Sequence, residues 1–314
     1  MFKHSPIVAV LGCLTALAMA GCAAGSGATP APPPATQSQA RGIAFGPGWL
    51  QKDGILYHVP HYMATRGHAV RNSGLTYGGG PVEVKPKVFL IFWDYAKYGD
   101  SEHVKPLLEN YIGNMGGSAH NNIYTQYYEI VNGKTIYIKN PASQYGGAWE
   151  DNTSVPRQPT DAQVAAEALK GVAHFGYDAN ASYVVATPHG RSTAGFGTAW
   201  CADQGVTSSK GRLVSYTDLP YIPDAGSACG ANYVTPPSDE SAADEGVTIV
   251  EGHMQGDSVT DPDPPLGWQF QGGEGGDIGD VCAWFDIAND TFGSYSYTMQ
   301  PMFSNASQSC VQSL

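Results

Sequence analysis

Apolar residues run unbroken through Val88-Phe89-Leu90-Ile91-Phe92-Trp93, the pattern of a strand buried on both faces. From Ser101 the period changes. Val104, Leu107, Leu108, Tyr111, Ile112 and Met115 recur three or four apart, which predicts a helix laying one apolar face on that strand, with Ser101 as its N-cap. Residues 122–130 are aromatic-rich and fit either a helix or a strand, and Asn132-Gly133 then predicts a tight turn into a short strand at 134–138. Thr160-Asp161-Ala162-Gln163 has the form of a capping box, and Val164, Leu169, Val172 and Ala173 carry that helix to about residue 174. A second buried strand follows at Ser182-Tyr183-Val184-Val185-Ala186-Thr187, closed by Pro188-His189-Gly190, and a third at 213–217. Acidic residues 239–245 place carboxylates at the positive end of a helix that carries Val247, Val250 and His253 and stops at Thr260-Asp261-Pro262. Residues 291–303 alternate polar and aromatic side chains, as half-buried strands do. Strands alternating with helices predict a single, loop-rich α/β domain over residues 44–314.

Composition narrows the function classes. Of the 314 residues 42% are hydrophobic and only 14% charged, and 39 Gly with 22 Pro fit a loop-rich globular chain. A net charge of -12 excludes electrostatic binding to nucleic acid or anionic lipid, which needs clustered Lys and Arg, and favours cationic partners or divalent metals. At the N-terminus Lys3 and His4 precede an apolar run from Ile7 to Met19, too short to span a bilayer, that ends in Ala20-Gly21-Cys22. Leu17-Ala18-Met19-Ala20-Gly21-Cys22 resembles a bacterial lipobox, which implies a signal peptide at 1–21, lipid on Cys22, and anchoring in the cell envelope, periplasmic or at the surface; an ordinary signal peptide would give a secreted protein. Residues 22–43, with Pro32-Pro33-Pro34, read as a disordered tether, so contact with the membrane runs through the lipid alone. Cys201, Cys229, Cys282 and Cys310 then remain, an even number for an oxidising compartment. Of the three pairings open to them we favour Cys201–Cys229 with Cys282–Cys310, which closes two loops of similar length.

The chemistry gathers in Glu251-Gly252-His253-Met254-Gln255-Gly256-Asp257. Four residues apart on a helix, His253 and Asp257 aim an imidazole and a carboxylate at one point, and Asp280, or Asp277, supplies a third donor from the loop beyond. Three protein donors and a water make the catalytic zinc arrangement. The residue after the first His is where a metallopeptidase carries its general base, and here it is Met254, so only Glu251 or Glu274, both off the motif position, remain for that role. Asp261, Asp263, Asp277, Asp280 and Asp286 offer oxygens to calcium without EF-hand spacing. His58, His61 and His68 have no ligand spacing and read as surface or packing residues, and His189, near Ser192, reads as a loop anchor, because no G-x-S-x-G elbow is present. Tyr145, Trp149, Trp268 and Trp284 read as core rather than as sugar-stacking platforms.

Several stretches together resemble the secreted bacterial relatives of the phosphate-induced protein 1, or EXORDIUM-like, family. They include Leu75-Thr76-Tyr77-Gly78-Gly79-Gly80-Pro81, the strand ending at Trp93, Thr125-Gln126-Tyr127-Tyr128, Ala186-Thr187-Pro188-His189-Gly190, Trp200-Cys201-Ala202, Asp224-Ala225-Gly226, Gly252-His253 to Pro262, and Gly279-Asp280 to Trp284. The resemblance implies a zincin-like domain, a mixed central sheet flanked by helices, with a His-Glu-x-x-Glu helix followed by Thr-Asp-Pro. This chain keeps His253, Thr260, Asp261 and Pro262 but carries Met254 and Asp257 at the two Glu positions. Gly78 and Gln204 stand where the family pattern has His. The expectation is an extracytoplasmic, metallohydrolase-like protein that has lost turnover and acts as a binding protein for a peptide, protein or glycan. An active peptidase with a displaced base, and a metal-free envelope module, are the competing readings.

Overall fold

The computed structural model describes the backbone of Trp49–Lys52 and Ile55–His58, and residues 74–270 and 276–314 in full. The expected signal peptide, Cys22, the tether, His61, His68, Glu274 and the side chain of His58 lie outside the described residues. The central sheet contains β1 (Trp49–Lys52), β2 (Ile55–His58), β3 (Lys87–Trp93), β4 (Tyr145–Asp151), β5 (Ala181–Ala186), β6 (Asp203–Ser209) and β7 (Arg212–Leu219), in the spatial order β1-β2-β6-β7-β5-β3-β4. β7, β5, β3 and β4 run parallel, while β6, β2 and β1 join antiparallel, so the sheet is mixed.

The long helices are α1 (Val104–Met115), α2 (Asp161–Phe175) and α3 (Glu245–Thr260). The period-two geometry of β3 shows why its apolar run is continuous. Val88, Leu90 and Phe92 face α1 and α3, whereas Phe89, Ile91 and Trp93 face α2, so both sides of the strand are covered. Fully burying a side chain of this size contributes roughly 1.5–3 kcal/mol.

Local signals hold with one change. Thr160 caps α2 as a complete capping box with Gln163. The cap expected at Ser101 is supplied instead by Asp100, whose Oδ1 and Oδ2 accept from the backbone of Val104 (2.8 Å) and Lys105 (2.9 Å), because His103 turns left-handed (φ 58°) and delays the helix. Asn132 (φ 51°) and Gly133 (φ 75°) make the turn between Tyr128–Val131 and Lys134–Tyr137. The aromatic stretch before it splits into a 3₁₀ segment, Asn121–Gln126, and the first of those strands. Further hairpins pair Ala288–Phe292 with Tyr295–Met299 and Met302–Ser304 with Ser309–Val311.

Two cross-links hold the loops. Cys201 pairs with Cys229 and Cys282 with Cys310, each closing 28 residues. Every residue of α3 is buried, between the sheet, α1, the segment Ile222–Cys229 and the strand Tyr295–Met299. Its carboxylates, amide and imidazole are therefore interior groups and need partners.

Candidate metal centre

α3 sets His253 and Asp257 one turn apart on the side away from the sheet, and the turn Asp280–Cys282 brings Asp280 over them. The imidazole Nε2 lies 3.0 Å from Asp257 Oδ2 and 3.2 Å from Asp280 Oδ1, and one donor atom from each residue falls within 4.8 Å of the others. The three residues expected to converge do so. Both aspartates are also held from behind: Asp257 Oδ1 accepts from the backbone of Gly279 (2.8 Å), and Asp280 Oδ2 from the backbone of Asp277 (2.8 Å).

A residue without a sequence signature orients the imidazole. Gln300, buried beyond the strand Tyr295–Met299, donates its amide to the Gly279 carbonyl (2.7 Å), which leaves its Oε1 facing His253 Nδ1 at 3.2 Å. Nδ1 must then carry a hydrogen, and Nε2 is the nitrogen presented to the two carboxylates. Gly279 closes the ring because nothing larger fits: a Cβ there would lie 2.9 Å from Asp257 Oδ1 and 3.1 Å from the His253 ring.

Charge balance follows from that packing. Burial opposes a charge on His253, but Asp257 and then Asp280 overcome it and push the imidazole up to about 10. An imidazolium proton thus sits between the carboxylates, in the position a metal would take on displacing it. One turn on, burial and then the Asp263 and Asp257 charges raise Asp261 to about 8, and burial with the charges of Asp261, Asp257 and Asp280 raises Asp277 well above the usual range. Asp261 and Asp277 form a buried acid pair behind the centre, each adding to the negative charge around the other.

The remaining candidates stand apart. Asp277 backs the centre through its backbone contact to Asp280 and lies outside the three-donor group. Residues two apart on a helix point roughly 200° apart, so Glu251 projects to the opposite side from His253. It is fully buried, and burial pushes it up to about 8. Met254 lies in the core cluster with Val247, Val250 and Leu90. Gly78 and Gln204 each bond the segment that follows α3. Gly78 donates to the Gly267 carbonyl (2.7 Å), a Cβ on it would lie 2.7 Å from the Leu266 carbonyl, and Gln204 donates to the Asp261 carbonyl (2.9 Å). The backbone of the loop after α3 occupies the space that a side chain on Gly78 would need.

Chemically, this is one imidazole nitrogen and two carboxylates with an ordered supporting layer. A narrow crevice lined by Cys201, Ile249, Val250, His253, Trp284 and Gln300 reaches the ring. No family model, curated protein or solved structure matches the chain. Among the described residues no helix is long and apolar enough to cross a membrane.

Proposed function

We propose that this is a lipid-anchored protein of the bacterial cell envelope whose zincin-like domain holds one divalent metal at His253, Asp257 and Asp280 and serves binding rather than turnover. The observation that carries the reading is the meeting of these three donors while the helix turns Met254 and Glu251 away from them. One imidazole and two carboxylates suit zinc; calcium takes six to eight oxygens, and Asp261, Asp263 and Asp286 do not join the group. Bound metal would polarise a ligand carbonyl or water. Among the described residues none stands at the centre to accept a proton from that water, which removes a contribution of roughly 10²–10⁴ in rate. The resemblance to EXORDIUM-like proteins and the lipobox-like Leu17 to Cys22 support the envelope setting, and the two disulfides are compatible with it.

The test is metal analysis with calorimetric titration of the purified protein. One zinc per chain is expected, lost in His253→Ala, with no zinc-dependent cleavage of unstructured peptides. Cleavage by the wild type that His253→Ala abolishes would make this an active peptidase with a displaced base. Absence of stoichiometric zinc or calcium would leave a metal-free glycan- or protein-binding module. Metabolic labelling with a fatty acid, lost in Cys22→Ser, tests the anchor.

A further inference from the structure

β3 and β5 are neighbours, and the chain leaves their carboxyl ends in opposite directions. After β3 it turns to the face that α1 covers. In strand order β3 leads outward to β4 on one side and β5 to β7 on the other, while the loop beyond β5 sends Thr193 to Asp218 (2.7 Å) and packs Phe196, Cys201 and Ala202 on the α1 face. In open α/β sheets such a divergence leaves a crevice beyond the strand ends, and ligands bind there. The first residue after β3, Asp94, holds a left-handed conformation (φ 59°) that non-glycine residues adopt at a cost of about 1–3 kcal/mol.

His189 stands at this place, three residues beyond β5, with its side chain 62% exposed. Its Nδ1 lies 2.5 Å from Asp224 Oδ1, and Asp224 Oδ2 accepts from the backbone of Gly190 at 2.7 Å. Asp224 is tied back in turn by its own N–H to the Tyr221 carbonyl (3.0 Å). The carboxylate is held at both oxygens, so it takes the Nδ1 hydrogen and leaves the Nε2 lone pair facing solvent. The Tyr221 ring packs edge-on to the imidazole at 5.8 Å, and its hydroxyl donates to Asp100 Oδ1 (3.0 Å) while accepting from the Glu102 backbone (2.9 Å). Among the described residues no hydrogen bond reaches His189 Nε2, and the side chain is largely exposed, whereas a histidine that only anchored its loop would be expected to bond through both nitrogens.

We propose that His189 and Asp224 form a second centre, separate from the metal site, in which His189 Nε2 acts as general base for water attacking a carboxylic ester. Nε2 takes one proton from water as the oxygen bonds to the acyl carbon. The ester C–O bond then breaks, and the imidazolium returns the proton to the departing alkoxide, so ester and water become acid and alcohol. Asp224 is a positioning residue that fixes the tautomer and balances the imidazolium charge. Asp100, Glu102, Asp224 and Asp244 all carry acid near this edge, since Asp100 and Asp224 act on Tyr95, and Glu102 and Asp100 on Asp244. The substrate is therefore a neutral or cationic ester rather than a phosphate ester.

The experiment measures p-nitrophenyl acetate hydrolysis by the full chain, with a chelator present throughout. The wild type should exceed free imidazole at equal concentration, His189→Gln should fall to the buffer rate, and Asp224→Asn should lose between about 10² and 10⁴, with the melting temperature unchanged in both variants. Carbethoxylation mapped by mass spectrometry gives a second readout: His189 should react faster in the wild type than in Asp224→Asn. A wild-type rate no higher than free imidazole, a rate retained in His189→Gln, or equal modification in Asp224→Asn would overturn the proposal.

Discussion

Met254→Glu places a carboxyl where a metallopeptidase helix carries its general base, and the fold makes it costly. On a helix the step from His253 to Met254 turns the side chain by about 100°, and here that direction leads into the cluster of Val247, Val250 and the β3 residues Val88, Leu90 and Phe92. Removing a buried methionine forfeits about 1.5–3 kcal/mol of burial. A carboxyl in its place has to stay protonated, and holding a group of ordinary pKa near 4.3 neutral at pH 7 costs about 4 kcal/mol at 1.36 kcal/mol per unit. The sum, roughly 5–7 kcal/mol, is comparable with the whole stability of a typical domain, about 5–15 kcal/mol. Met254→Gln keeps the shape without the charge and should lose roughly half as much, while Met254→Leu should stay within about 1.5 kcal/mol of the wild type. Urea unfolding followed by tryptophan fluorescence at pH 7 orders the three variants, and peptide cleavage with added zinc is assayed in parallel. If Met254→Glu unfolds within about 1 kcal/mol of the wild type and cleaves peptides with zinc, its carboxylate reaches the metal, and the orientation argued from the core is wrong.

Gln300→Ala should weaken zinc binding by about 10–100-fold in a competition titration, and Gln300→Glu should not restore it, because a carboxylate can accept the Nδ1 hydrogen but cannot donate to the Gly279 carbonyl that holds the amide in place. Replacing Cys282 and Cys310 by Ser should cost about 3.5 kcal/mol in chemical unfolding, from the loop-closure entropy of a 28-residue separation, and should also weaken zinc binding, since Cys282 ends the turn that carries Asp280. Burial raises Asp218 from 3.8 to about 7, so the folded state holds a proton that the unfolded state releases between those values. Its contribution, about 4 kcal/mol, is fully present below pH 4 and lost by pH 7; unfolding midpoints across that range should show the decline, and Asp218→Asn should reduce the slope. Asp100→Ala should remove the cap of α1 and cost about 1 kcal/mol.

Much of the scaffold was legible because single stretches carried it. The β3 run, the capping box at Thr160, the Asn132-Gly133 turn and the stop at Thr260-Asp261-Pro262 each encode their own structure, and each stands where its pattern placed it. β4 and β6 escaped notice because their sequences, Tyr-Gly-Gly-Ala-Trp-Glu-Asp and Asp-Gln-Gly-Val-Thr-Ser-Ser, lack an apolar period. β4 is an edge strand with little to bury, and a polar strand such as β6 is specified by its neighbours rather than by itself.

The site divides along the same line. His253 and Asp257 follow from helical spacing, and Asp280 from its place in the next acidic loop, so local rules suffice for the donors. Gln300 and Gly279 do not follow from any local rule, because their roles exist only once the strand Tyr295–Met299 and the turn Asp280–Cys282 have folded against α3. The same dependence separates Met254 from Glu251. In the sequence both are neighbours of His253, one at the motif position and one a possible substitute; on the helix one enters the apolar core and the other is buried on the far side. Apolar packing surrounds Met254 and loop backbone crowds Gly78, so a carboxylate at position 254 could reach the centre only with repacking between α3 and the sheet.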